Sequence, residues 1–148
     1  MQYGEAGLTI LIAEDDDGHA QLLRRGLLSA GVRNPLLRFK DGRETWDFLS
    51  GAAKPCFEPG MACLLLLDIR MPPPDGVELL RRMRADPRLN RLPVIMVTTT
   101  DDPKEIARCA ELGSQGCLIK PVEFGQLLEL TKRLGLALDI AEPGGRKV

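Results

Sequence analysis

Histidine is scarce in this chain, and its cysteines do not occur in pairs. The 148 residues include one histidine, His19, and four cysteines that form no C-x-x-C motif. Structural zinc sites are built from close pairs of such ligands, so the sequence argues against one. A Ser-His or Cys-His catalytic pair would have to use His19, which precedes an amphipathic helix and is expected to face solvent. Cys63 and Cys117 lie in apolar runs and are expected to be small core residues.

The chain also lacks an excess of charge and a long apolar run. Its formal net charge is -1, which leaves no electrostatic footprint for nucleic acid or an anionic membrane. No apolar run approaches the ~20 residues of a membrane-spanning helix. Residues 1–7 lack the basic and apolar regions of a signal peptide. We therefore expect a cytoplasmic protein that contacts neither nucleic acid nor a membrane, and we expect its arginine-rich segment at 81–91 to be a solvated helix face.

Apolar runs alternate with helical segments along the chain. Strands are predicted at 8–13, 36–40, 64–67, 93–98 and 116–120. Helices are predicted at 19–30, 43–50, 75–85, 103–112 and 122–138. This alternation predicts one α/β domain with a parallel sheet covered by helices on both faces. Five strands favour the doubly wound order 2-1-3-4-5 over a larger Rossmann-like sheet.

The proline- and glycine-containing segment at 51–60 is expected to be a surface loop, because the chain on both sides of it reads as one fold. We therefore predict a single domain over residues 1–148. Its core would cover about 8–138, and residues 139–148 would form a flexible tail.

Asp68 directly follows four consecutive leucines and precedes three prolines at 72–74. Such a leucine run is typical of a strand buried on both faces of a parallel sheet. An ionised carboxylate at its end is costly unless it is paired. Asp68 is therefore expected at the carboxyl edge of the sheet, where open α/β folds bind ligands. Taken alone, it could equally be a strand-end or helix N-cap residue.

Polar side chains also follow three other predicted strands. Glu14 and Asp15 follow the first, Thr98 ends the fourth and Lys120 ends the fifth. Parallel strands end at one edge, so this pattern predicts a shared crevice in which Mg²⁺ would relieve the repulsion between carboxylates. Asp68 is the candidate nucleophile for an aspartyl phosphate, with Glu14 and Asp15 as metal ligands. Lys120 would neutralise the phosphoryl group, and the Thr98 hydroxyl would donate a hydrogen bond to it.

Four motifs in this order resemble the receiver domain of bacterial two-component response regulators. They are I-L-I-A-E-D-D at 10–16, L-D-I-R-M-P with D-G at 67–76, P-V-I-M-V-T at 93–98 and G-C-L-I-K-P at 116–121. The resemblance extends from about Leu8 to Leu138 and implies a flavodoxin-like fold. Weaker hints, including E-D-D-D-G-H-A at 14–20, are similar to stand-alone receivers associated with bacterial phytochromes.

The resemblance implies that Asp68 accepts a phosphoryl group from a sensor histidine kinase in a Mg²⁺-dependent reaction. The implied metal ligands are Glu14, Asp15, Asp68 and the backbone carbonyl of Arg70. Thr98 and Lys120 would bind the phosphoryl group, and the Lys120–Pro121 peptide would be cis. Such a chain is a phosphoacceptor rather than an enzyme. The resemblance also admits a phosphotransfer protein or downstream regulator as a partner, and a homodimer through the fourth and fifth helices.

Two positions depart from the family pattern. Cys117 stands where many receivers carry a switch aromatic, so output would depend on Thr98 and loop movement. Arg70 stands where a smaller polar residue is common. By the resemblance, Arg70 and Thr100 flank the path of the hydrolytic water. We expect the Arg70 guanidinium to lie across the phosphoryl group and slow its hydrolysis, the competing outcome being that Arg70 points to solvent.

Other functions fit the sequence less well. A phosphatase of the haloacid dehalogenase type also uses an aspartyl nucleophile, but it needs a second aspartate where this chain has Arg70. A degenerate receiver that binds partners without phosphate would not need the intact acidic pair, Asp68 and Lys120. No G-x-G-x-x-G or Walker loop for a nucleotide is present. About ten residues follow the last predicted helix, so output is expected through protein contacts.

Overall fold

The computed structural model describes residues 7–141, in which five strands alternate with five helices. The strands are β1 (Thr9–Ala13), β2 (Leu36–Phe39), β3 (Cys63–Leu67), β4 (Val94–Thr98) and β5 (Gly116–Ile119). The helices are α1 (Asp17–Ser29), α2 (Gly42–Ser50), α3 (Gly76–Ala85), α4 (Pro103–Glu111) and α5 (Phe124–Arg133). All strands pair in parallel in the order β2-β1-β3-β4-β5, which confirms the predicted doubly wound sheet.

The central strand β3 is buried on both faces, as its leucine run predicts. Leu65 and Leu67 belong to one core cluster with residues of α2 and α3. Leu64 and Leu66 belong to a second cluster with residues of α1 and α5. Side chains alternate between the two faces of a strand, so a strand covered by helices on both sides must be apolar throughout.

The carboxyl ends of the strands form one hydrogen-bonded row. The Glu14 amide donates to the carbonyl of Phe39 at 3.1 Å, and the Asp68 amide donates to the carbonyl of Ala13 at 3.1 Å. On the other side of β3, Met96 of β4 pairs with Leu67. The residues that follow β1 and β3 therefore emerge side by side at the same edge of the sheet.

The last helix is shorter than predicted. It ends at Arg133, with Leu134 as its C-cap, and Gly135 follows at a φ of +73°. Glycine adopts this left-handed conformation without a steric penalty and so ends helices readily. The apolar spacing that continues to Leu138 on the far side of Gly135 explains the wrong boundary.

The residues that begin the predicted tail are attached to the domain. Ile140 forms an antiparallel bridge with Val32, and the Ala141 amide donates to the carbonyl of Gly31 at 2.7 Å. The side chain of Asn34 accepts from the Asp139 amide at 2.7 Å. Residues 142–148 of the predicted tail, and residues 1–6 of the segment assessed for a signal peptide, lie outside the described residues. Among residues 7–141, no helix has the length and apolarity to cross a membrane.

Candidate functional site

Three carboxylates meet at the carboxyl edge of the sheet. Glu14 and Asp15 follow β1, Asp68 follows β3, and one oxygen of each lies within 4.8 Å of the others. Glu14 and Asp68 are buried, whereas Asp15 is exposed. Three oxygen donors on one side of a crevice suit a hard divalent cation such as Mg²⁺, which prefers oxygen ligands and keeps several waters.

Lys120 supplies the positive charge of the site. Its amide donates to the carbonyl of Thr98 at 2.8 Å, and its side chain returns toward β1 and β3. The Lys120 Nζ donates to Asp68 Oδ2 at 3.1 Å and to Glu14 Oε1. It also lies 3.2 Å from Nδ1 of His19. The three N–H groups of an ammonium thus have three partners.

The surroundings of Lys120 and Glu14 raise the pKa of both groups. Burial raises the pKa of Glu14, and the nearby Asp68 charge raises it further, against the opposing effect of Lys120 and the Asp16 amide. Burial alone would lower the pKa of Lys120, but its contacts with Glu14 and Asp68 outweigh that effect and raise it. One ammonium faces three carboxyl groups, so the site has a deficit of positive charge that a cation would supply.

Arg38 supports the acidic pair from the edge strand β2. Its Nε and Nη2 donate to the backbone carbonyl of Glu14 at 3.0 and 2.8 Å, and its Nη1 lies 2.9 Å from Asp17 Oδ1. Ile12 of β1 is paired with Arg38, which places the guanidinium beside the end of β1. Sequence reasoning missed this residue. The signal was a single arginine within the apolar run at 36–39.

The Arg70 side chain points away from Asp68 in this structure, as in the competing outcome, rather than across the site. Its backbone amide donates to Asp68 Oδ1 at 3.2 Å, but its guanidinium donates to Glu105 Oε2 at 2.9 Å. The Arg70 side chain is 65% exposed. The carboxylate on α4 draws the long side chain away from Asp68, and the guanidinium gains a charge-assisted bond there.

Thr98 ends β4 and Cys117 lies on β5, where it packs against the apolar core. Thr98 is fully buried, and its Oγ1 accepts from the Thr100 amide at 3.2 Å. Thr100 Oγ1 accepts in turn from the Asp102 amide, also at 3.2 Å. Burial raises the pKa of Cys117 to about 11, so its thiol stays protonated at neutral pH. The Lys120–Pro121 peptide is cis, as the resemblance implies.

His19 is closer to the site than the sequence predicts. It was expected to face solvent, and 44% of its side chain is exposed, yet its Nδ1 lies beside Lys120. The backbone explains the placement, because the His19 amide donates to Asp16 Oδ1 at 2.9 Å in the N-cap of α1. This cap sets where α1 begins after β1, and the Lys120 side chain reaches back from the end of β5 to meet His19 there.

The arginine-rich segment bonds largely within the domain. Arg81 and Arg82 pair with Glu78, and Arg82 also lies 5.5 Å from the Trp46 ring centroid. Arg84 donates to the carbonyl of Gly113 at 2.8 Å. Arg88 donates to the carbonyl of Leu49. The Glu78 pairs lie within α3, whereas the contacts with Trp46 and Gly113 join that helix to other segments. Together with the Arg88 contact, they give four of the five arginines partners within the domain.

Known proteins with similar sequences and folds are response regulator receivers. The family model for the response regulator receiver domain matches residues 10–132. A receiver domain from Rhodospirillum rubrum is 37% identical with a TM-score of 0.69, over 86% of this chain and 91% of that chain. The bacteriophytochrome response regulator AtBRR is 28% identical with a TM-score of 0.77, over 91% and 97%. The Mn²⁺-bound form of the response regulator Rcp1 is 26% identical with a TM-score of 0.68, over 85% and 90%.

The family-model match, the strand order and the acidic crevice all point to the same family. The family model covers β1 to α5, which is nearly the whole described part of the chain. The chain therefore belongs to the response regulator receiver domain family, whose members accept a phosphoryl group from a histidine kinase on an aspartate.

Proposed function

We propose that Asp68 is the phosphoacceptor of this receiver and that the reaction requires Mg²⁺. The observation that supports the proposal is the position of the Asp68 carboxylate. It lies at the end of the central strand, bonded to Lys120 and within 4.8 Å of the Glu14 and Asp15 oxygens. A nucleophilic carboxylate needs this combination of a fixed position and nearby positive charge to receive an anionic group.

Receiver domains bind Mg²⁺ at their acidic site, and the ion would offset the negative charge of the incoming group. Glu14, Asp15 and Asp68 would hold it, together with the backbone carbonyl of Arg70. The donor set fits, since every proposed ligand is an oxygen. The Rcp1 relative, which is described as Mn²⁺-bound, supports a divalent ion at this kind of site.

The chain's own residues would carry the transfer as follows. An Asp68 oxygen forms a bond to phosphorus while the bond between phosphorus and the kinase histidine nitrogen breaks, which leaves an acyl phosphate and a free imidazole. Lys120 exchanges its bond to Asp68 for one to a phosphoryl oxygen. The Thr98 hydroxyl, whose oxygen accepts from the Thr100 amide, keeps its own hydrogen to donate to a second phosphoryl oxygen.

The signal would leave the site through the connection after β4. If the Thr98 hydroxyl moves to the phosphoryl group, its bond to the Thr100 amide at 3.2 Å breaks, and the bond between Thr100 and Asp102 loses its support. Asp102 is the N-cap of α4, so the start of that helix would shift. We propose that partner proteins, or a second copy through α4 and α5, read this change. We also propose that Arg70 and Thr100 influence the lifetime of the phosphoryl group, Arg70 acting when its guanidinium leaves Glu105.

We propose that a phytochrome-type histidine kinase donates the phosphoryl group to this receiver. The support is the similarity to AtBRR, which is a bacteriophytochrome response regulator. Phosphotransfer profiling against a panel of purified histidine kinases tests this point. Faster transfer from phytochrome-type kinases than from all others is expected, and equal or slower transfer from them would contradict it.

The phosphoacceptor itself is tested with acetyl phosphate and Mg²⁺. Intact-mass analysis is expected to find one added phosphoryl group on the wild type and none on Asp68→Asn. Asp75→Asn is the matched control, because Asp75 lies in the same β3–α3 loop and asparagine can still accept from the Glu78 amide as an N-cap. Equal labelling of Asp68→Asn and the wild type would refute the assignment.

A further inference from the structure

We propose that His19 is a positioning residue for phosphoryl transfer, because it holds the Lys120 ammonium over the site. The inference rests on the proposed function of Asp68 and Lys120. Its basis is the distance of 3.2 Å between His19 Nδ1 and Lys120 Nζ. Both other partners of the ammonium are carboxylates of the acidic cluster.

The contact assigns a role to each atom of the imidazole. An ammonium only donates, so Nδ1 must accept, and the ring hydrogen resides on Nε2. His19 thus acts as the neutral third acceptor of Lys120. A carboxylate in place of His19 would add a fourth negative charge to the acidic cluster and increase its repulsion, whereas a neutral imidazole nitrogen adds none.

The His19 side chain extends from a helix cap and borders an apolar cavity. The N-cap of α1 holds the His19 backbone, whose amide donates to Asp16 Oδ1 at 2.9 Å. The side chain borders a cavity of about 380 Å³ between α1 and the start of α5, whose apolar lining includes Leu22, Val122 and Phe124. The cap fixes the backbone from which the ring extends, and the contact with Lys120 is what orients Nδ1 toward the site.

Transfer to Asp68 changes what Lys120 can contact. Once the phosphoryl group forms, Lys120 must leave the Asp68 oxygen and bond the new group. Glu14 and His19 then remain as the two partners that keep Nζ near the site. A lysine side chain is long and flexible, so without the imidazole it would spend less time in the productive position. Removing the imidazole should therefore lower the rate of phosphoryl transfer and leave the binding of the phosphodonor unchanged.

Three variants test the role of His19. His19→Leu removes the acceptor and puts an apolar side chain beside the apolar lining of the cavity. His19→Asn restores an acceptor, because its amide oxygen can occupy the place of Nδ1. Leu22→Ala is the matched control, since Leu22 lines the same cavity from the same helix but belongs to neither the acidic cluster nor the contacts of Lys120. The initial rate of Asp68 labelling is measured at several concentrations of acetyl phosphate in saturating Mg²⁺.

We expect His19→Leu to lower the maximal labelling rate about three- to tenfold, as for one lost hydrogen bond to a charged group at a partly exposed site. The half-saturating donor concentration should change little. His19→Asn should recover most of the rate, and Leu22→Ala should match the wild type. A wild-type rate in His19→Leu, or equal losses in His19→Leu and His19→Asn, would overturn the proposal.

The lone histidine of the chain allows a second measurement. In long-range ¹H–¹⁵N NMR spectra, Nδ1 of His19 should show the shift of a hydrogen-bonded acceptor, and Lys120→Met should move that signal toward a free nitrogen. An unchanged signal would overturn the contact. If the wild type is not labelled on Asp68, both the proposed function and this role fail. If the wild type is labelled and His19→Leu is labelled equally fast, only the role of His19 fails.

Discussion

Gly76→Ala should damage the site although it adds one methyl group to a helix. Gly76 begins α3 directly after its N-cap Asp75, and its amide donates to the carbonyl of Ile69 at 2.9 Å. A Cβ at this position would overlap the carbonyl oxygen of Asp68. It would also lie 2.8 Å from Ile69 Cα and 3.0 Å from the carbonyl carbon of Asp68. These are backbone atoms, so no side-chain rotation can relieve the clash.

Two effects of opposite sign decide the outcome for stability. Intrinsic helix propensity favours alanine over glycine by up to about 1 kcal/mol. Carbon atoms in contact ordinarily lie about 3.5–4.0 Å apart, so the clash requires a backbone shift of about 1 Å. Overpacking of this kind costs about 1–3 kcal/mol. We expect the clash to win and the free energy of unfolding to fall by about 1–2 kcal/mol.

The effect on phosphoryl transfer should be larger than the effect on stability. The shift is applied to the carbonyl of Asp68 itself, and a misplacement of about 1 Å at a reacting group can cost about a hundredfold in rate. We expect acetyl phosphate to label Gly76→Ala about ten- to a hundredfold more slowly than the wild type under conditions where both proteins are folded.

Urea unfolding and intact-mass kinetics at equal Mg²⁺ measure the two effects. Gly125→Ala is the control, because Gly125 also lies in the first turn of a helix. The three atoms nearest to its Cβ would all belong to the flexible carboxylate of Glu123, the closest of them at 3.0 Å. That variant should stay within about 0.5 kcal/mol of the wild type and keep its labelling rate. A Gly76→Ala protein as stable and as rapidly labelled as the wild type would refute the reasoning.

Two further predictions concern the residues after β1. Asp15→Asn should weaken Mg²⁺ binding by about tenfold or more while leaving the metal-free melting temperature unchanged or higher, because one of three mutually repelling carboxylates is lost. Melting curves across a Mg²⁺ titration check this, and unchanged affinity would count against Asp15 as a ligand. Arg38→Gln should lower the free energy of unfolding by about 1–3 kcal/mol, since the Glu14 carbonyl loses both guanidinium donors. Asp17→Asn removes only the exposed ion pair of Arg38 and should change it by less than about 1 kcal/mol; similar losses in both variants would contradict this explanation.

The sequence by itself determined the sheet and the acidic edge. Buried parallel strands need apolar residues on both faces, so the leucines before Asp68 identify the central strand without reference to any contact. Once five strands alternate with helices, topology alone brings the ends of β1, β3, β4 and β5 to one edge. That is why Glu14, Asp15 and Lys120 could be grouped with Asp68 from their positions in the chain.

The tertiary structure alone decided which side chains reach one another across that edge. The contact between His19 and Lys120 joins residues 101 positions apart, and it depends on where the cap begins α1 and on the Lys120 side chain reaching back from the end of β5. The two hydrogen bonds from the Arg38 guanidinium to the Glu14 carbonyl depend on the register between β1 and β2. Arg70 turns to Glu105 because of where α4 lies. Such contacts depend on helix orientation and side-chain rotamers, and neither can be predicted from the local sequence.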